Sequence, residues 1–151
     1  MNILNKLKVK SAKEGFHYDD KYYLILLLLS TVYADGLEEP SEMLVLRQIM
    51  SKSPLFADSN DLKDKLILKT ARNYLMTNDN SVAVACGKLS EKLKKTAFVM
   101  AVEIIFADGL VHEKELEFVD ILKKSLDISD SFSLKHLEYL RHYIVQVKYN
   151  A

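Results

Sequence analysis

Apolar positions along this chain recur at helical spacing, and no segment sustains a two-residue alternation, so the pattern predicts helices throughout. The densest apolar run, Tyr22 to Ala34, is thirteen residues long. That is short of the ~20 residues needed to cross a bilayer, and it reads as a helix buried on nearly all sides. Asp19 or Asp20 can serve as its N-cap and Gly36 ends it. Pro40, suited to a first helical position, opens a second helix. In that helix Met43, Leu46, Ile49 and Met50 form one stripe. Ser51 to Ala57, with Pro54, breaks the pattern. A third helix is predicted from Ser59 or Asn60 to Met76, with Leu62, Leu66, Ile67, Thr70, Ala71, Tyr74 and Leu75 facing inward. Asn78 to Ser81 is a turn cluster, and Val82 to Cys86 a short helix interrupted at Gly87.

The second half replays the first. Ala34-Asp35-Gly36 returns as Ala107-Asp108-Gly109, 73 positions on. Each copy follows an aromatic (Tyr33, Phe106) and precedes a leucine (Leu37, Leu110). Each has a glutamate seven residues after the aspartate (Glu42, Glu115). Lys92 to Phe106 matches the first helix, with Ala97, Met100 and Ala101 standing where Leu24, Leu27 and Leu28 stand. His112 to Leu126 matches the second, with Leu116, Val119 and Leu122 in the places of Met43, Leu46 and Ile49. A last helix is predicted from Ser133 to Lys148, turning Leu134, Leu137, Leu140, Ile144 and Val147 inward. The expected fold is an all-α, single-domain bundle with an internal pseudo-two-fold duplication of a helix-turn-helix pair.

Composition narrows the function classes. The chain has 151 residues, 49% of them hydrophobic, enough for one domain with a sizeable core. Lysine and arginine total 21, as do aspartate and glutamate, which argues against a nucleic-acid binder. The single cysteine, Cys86, can form neither an internal disulfide nor a thiolate zinc site, and it reads as a small buried hydrophobe. This suits a reducing, cytoplasmic setting. No secretory signal is visible. Residues 1–18 form a basic arm bearing Lys6, Lys8, Lys10 and Lys13, with residues 19–151 as the domain. The arm reads as a lightly packed terminus or as a peripheral contact with anionic lipid or a partner. Lys88, Lys92, Lys94 and Lys95 make a second basic patch, read as solvated lysines or as a steering surface for a protein partner.

The duplicated acidic loops are the candidate chemistry. Laid on a calcium EF-hand loop, Gly109 takes the sixth place, Val111 the eighth and Glu115 the twelfth. The first and third places then fall on Ile104 and Phe106, or on Thr31 and Tyr33 in the first copy, none offering the required carboxylates. Two readings remain. In one, the aspartates and glutamates only cap helices and complement their dipoles. In the other, the two turns meet, and Asp35, Glu39, Glu42, Asp108, Glu113 and Glu115 form a surface for a hard divalent cation (Ca²⁺, Mg²⁺ or Mn²⁺). His112 replaces Glu39 in the second copy, so the halves are not equivalent. No catalytic set is legible. His112-Glu113 opens like a zinc-protease helix, but Leu116 stands where the second histidine belongs. His136 and His142 point apart on a helix, and Tyr139 and Tyr143 read as a packed pair. A two-metal hydrolase is the enzymatic alternative, and it requires the loops to hold two ions ~4 Å apart.

Tyr33-Ala34-Asp35-Gly36-Leu37 with Glu42, and Phe106-Ala107-Asp108-Gly109-Leu110 with Glu115, resemble the TerB-like family. The likeness runs from about Tyr22 to Leu126. It implies about seven helices with an internal duplication, in a bacterial cytoplasmic protein related to stress and tellurite-resistance systems. It also implies an interaction module, sometimes membrane-associated, and no enzyme. Metal binding is suspected in the family at the acidic residues after Asp-Gly, a suspicion that falls here on the six carboxylates named above. Pro40 and His112 depart from the family's acidic run.

Overall fold

Helix α1 (Tyr18–Val32) has no polar face to speak of, and the fold buries it accordingly. Leu24, Ile25, Leu26, Leu27, Leu28 and Leu29 are all fully enclosed. A computed structural model describes residues 18–34, 40–56, 61–107, 113–136 and 138. After α1 come α2 (Pro40–Lys52), a 3₁₀ turn η1 (Pro54–Phe56), α3 (Asp61–Thr77), α4 (Ser81–Lys88), α5 (Glu91–Ile105) and α6 (Glu113–Ser125). A further helix, α7, begins at residue 130 and is described to 136. The described residues contain helices and no strand, in one compact helical domain.

Around α1 pack α3, α4, α5 and α2, while α6 closes on α4 and α5. The few polar side chains on α1 are satisfied locally or across a helix boundary. Thr31 Oγ1 donates to the carbonyl of Leu27 at 2.9 Å. Ser30 Oγ lies 2.7 Å from the carbonyl of Leu26 and 2.9 Å from Ser81 Oγ, which pins the first turn of α4 to α1. Lys21, also buried, sets its ammonium 4.9 Å above the Phe56 ring.

Helix bounds recur at the spacing of the sequence motif. The limits of α5 fall 73 positions after those of α1, and the limits of α6 fall 73 after those of α2. The helix ends match in their hydrogen bonds as well. Tyr33 N–H donates to Leu29 at 3.0 Å and Ala34 N–H to Thr31 at 3.2 Å; Phe106 donates to Val102 at 3.0 Å and Ala107 to Ile104 at 3.1 Å. Both helices thus tighten to a 3₁₀ turn before their Asp-Gly.

Helix α6 ends differently. Ile128 N–H reaches the carbonyl of Lys123 at 2.9 Å and Asp127 N–H that of Lys124 at 3.3 Å. Asp127 sits at φ 55°. This is a Schellman closure with aspartate in the left-handed position usually given to glycine. Two residues on, Ser129 Oγ accepts the N–H of Phe132 at 3.2 Å and caps α7.

Several expectations are corrected. Gly87 does not interrupt α4 but lies within it. A Cβ there would meet nothing within 4 Å, so the residue serves no close approach. Leu62 is 78% exposed, because the buried stripe of α3 begins further on, at Ile67 and Ala71. Val119 and Leu122 of α6 are buried as expected, but Leu116 is 49% exposed, because the first turn of α6 turns Glu115 inward in its place. Leu134 also faces outward, while its neighbour Ser133 is buried. Helix α2 continues to Lys52, into the stretch expected to break it. The N-terminal arm and the end of the last predicted helix lie outside the described residues, with His142, Tyr139 and Tyr143.

Candidate functional site

Of the six carboxylates expected to make a cation surface, Asp35, Glu39 and Asp108 lie outside the described residues. The other three occupy the first turns of α2 and α6. Glu113 is exposed at the first position of α6. Glu42 and Glu115 are each the third residue of their helices, and each is buried, at 5% and 6% exposure. A carboxylate in a first turn lies at the positive end of the helix dipole, which favours its charge. Burial there ties the two side chains to the body of the protein. Sequence spacing alone cannot say this, since the same spacing fits an exposed cap. Among the described residues, no three histidine, cysteine, aspartate or glutamate side chains gather closely enough to hold a metal ion.

Other reactive groups are accounted for by packing. The thiol of Cys86 is buried in α4, and burial, opposed by Lys94, pushes its pKa up to about 11. A thiol so shielded is a poor nucleophile. Burial holds His136 below the usual histidine range, against the pull of Glu103. Its Nε2 is enclosed without a hydrogen-bond partner. Of the basic patch, Lys94 is tied to Glu91 at 2.7 Å, and Lys95 places its ammonium 5.3 Å from the centre of the Phe132 ring. Lys88 and Lys92 are exposed.

A concave feature among the described residues lies elsewhere. A groove of about 780 Å³ opens between α2 with η1 on one side and α5 with α7 on the other. Its walls are two helical stripes. Val45, Ile49 and Lys52 come from α2; Leu93, Met100 and Glu103 come from α5. Phe132 of α7 adds an aromatic wall, packed on Phe98 with ring centres 6.4 Å apart. Of these positions the sequence pattern singles out Ile49, in the apolar stripe of α2, and Met100, in the helix matched to α1. The available signal was that each stripe ends in a charged residue at helical spacing, as a half-covered edge does.

No helix of the described residues is long and apolar enough to cross a membrane. No family model, curated protein or solved structure matches the chain.

Proposed function

We propose that this chain is a non-catalytic helical interaction module of TerB-like type, in which two acidic Asp-Gly turns bind a divalent cation. One observation carries the reading. At a separation of 73 residues, two apolar helices close with the same pair of hydrogen bonds, and each is followed by a helix whose third residue is a buried glutamate. Two copies of one ancestral helix pair would give this arrangement, and the resemblance places them in bacterial stress or tellurite-resistance systems. In this reading Glu42 and Glu115 anchor the two turns. Asp35, Glu39, Asp108 and Glu113 supply oxygen ligands, of the hard kind that Ca²⁺, Mg²⁺ and Mn²⁺ prefer.

Calorimetric titration with these three ions tests the cation. Heat and a thermal upshift are expected from the native chain and are lost in Asp35→Asn/Asp108→Asn. Silence from the native chain at millimolar ion would remove cation binding from the reading.

A further inference from the structure

We propose that the groove between α2 and α5 receives an amphipathic helix of a partner protein, one that carries acidic residues beside its apolar face. This deepens the interaction-module reading by naming the partner's chemistry. Of the proposed cation site, the described carboxylates Glu42, Glu113 and Glu115 are not among the residues lining the groove.

The shape points to a helix. From Leu93 to Glu103 the α5 wall advances ~15 Å, about three helical turns at 1.5 Å per residue. On the α2 wall Val45, Ile49 and Lys52 also stand at helical spacing, over about two turns. A partner helix of similar length can lay residues at i, i+3, i+4 and i+7 between two such walls. Between the charged ends the lining is apolar, with Ile49, Leu93, Met100 and Phe132 contributing.

The charge points to acidic flanks. Lys52 and Lys95 are exposed on the rim, and neither is in a salt bridge with another described residue. Lys95 is held in place over Phe132. Among the described lining residues Glu103 is the one carboxylate, so two lysines stand against a single acidic group. The rim therefore carries an excess of positive charge that acidic side chains would complement, which governs partner choice and approach.

The test is selection of a phage-displayed library of helix-forming 16-residue peptides on the full chain, in buffer containing EDTA so that cation binding plays no part. The expected winners share apolar residues at helical spacing with aspartate or glutamate beside them. A synthetic winner should bind the native chain and lose at least ~tenfold in affinity to Lys52→Glu/Lys95→Glu. Both substitutions are on exposed side chains, and an unchanged melting temperature confirms the fold. Met100→Glu should abolish binding. The proposal is overturned if no peptide is enriched, if the winners are basic, or if either variant binds as the native chain does. It is also overturned if the groove serves a different occupant. That would be a self-association, seen by ultracentrifugation, or a binding to phosphatidylserine vesicles, with either lost in Lys52→Glu/Lys95→Glu while no peptide competes.

Discussion

The carboxylate of Asp20, in the first turn of α1, accepts the backbone N–H of Ser90 at 3.1 Å, just before the first turn of α5. The bond joins the starts of two long helices that are 70 residues apart in sequence. Asp20→Ala should cost about 1–2 kcal/mol, since a charge-assisted bond is lost and a half-buried N–H is left to water. Asp20→Asn, which keeps an acceptor, should cost less. Urea denaturation of the three proteins checks the ranking.

Glu42 and Glu115 should respond alike to substitution. Lysine at either place puts a cation into a buried site at the positive end of a helix, and a loss of about 3 kcal/mol or more is expected. Glu113→Lys, on an exposed side chain at the start of the same helix as Glu115, should change stability by less than ~1 kcal/mol. Equal losses at all three positions, measured by chemical denaturation, would contradict the placement of Glu42 and Glu115.

Asp127 holds a left-handed conformation at the end of α6. Glycine adopts it without crowding from a Cβ, so Asp127→Gly should raise stability by up to ~1 kcal/mol. Asp127→Val should lower it, since a β-branched residue tolerates positive φ poorly. Thermal melts of the pair give opposite signs if the turn is as described.

Cys86 should resist thiol reagents in the folded protein. With its pKa raised from 9.0 to about 11, its thiolate fraction at pH 8 falls about a hundredfold. The more basic thiolate is intrinsically more nucleophilic, which returns about one power of ten. Burial of the sulfur adds hindrance. Labelling by a chromogenic disulfide should therefore be at least ~tenfold slower in the native chain than in urea.

His136 should make stability depend on pH. Its folded pKa lies below the unfolded 6.5, so the unfolded chain takes up the proton first as pH falls. The neutral ring is fully tolerated above the unfolded value. Stability is then lost as pH drops from 6.5 toward the lower folded pKa. The melting temperature of the native chain should fall more between pH 7 and 5 than that of His136→Gln. Asp130, lowered by its contact with Lys123, titrates below 3.8 and leaves this window untouched.

What periodicity could reveal depended on how much of a helix is covered. The run from Leu24 to Leu29 announced an enclosed helix because no polar residue interrupts it. Pro40 marked the start of α2 through its backbone alone. Apolar spacing finds Val119 and Leu122 in α6 but takes Leu116 for the third member, whereas the fold buries the neighbouring Glu115. Helical spacing cannot separate two faces one residue apart when the buried one includes a charge. At Gly87 the glycine predicts a break, but α4 runs one residue past it and ends at Lys88. The link from Asp20 to Ser90 and the groove beside Phe132 depend on contacts between distant segments, which no local pattern records.

The enclosure of α1 also has a bearing on synthesis. Its sequence is complete at Val32, yet the chain must grow to Ile105 before α5 can cover it. At about 5–20 residues per second that interval lasts about 4–15 s. Throughout it, a helix with no polar face stands on the nascent chain with only α2, α3 and then α4 to shelter it. Slow translation between Lys52 and Glu91 would lengthen the exposure, and holding chaperones would find their most persistent target in the first fifth of the protein.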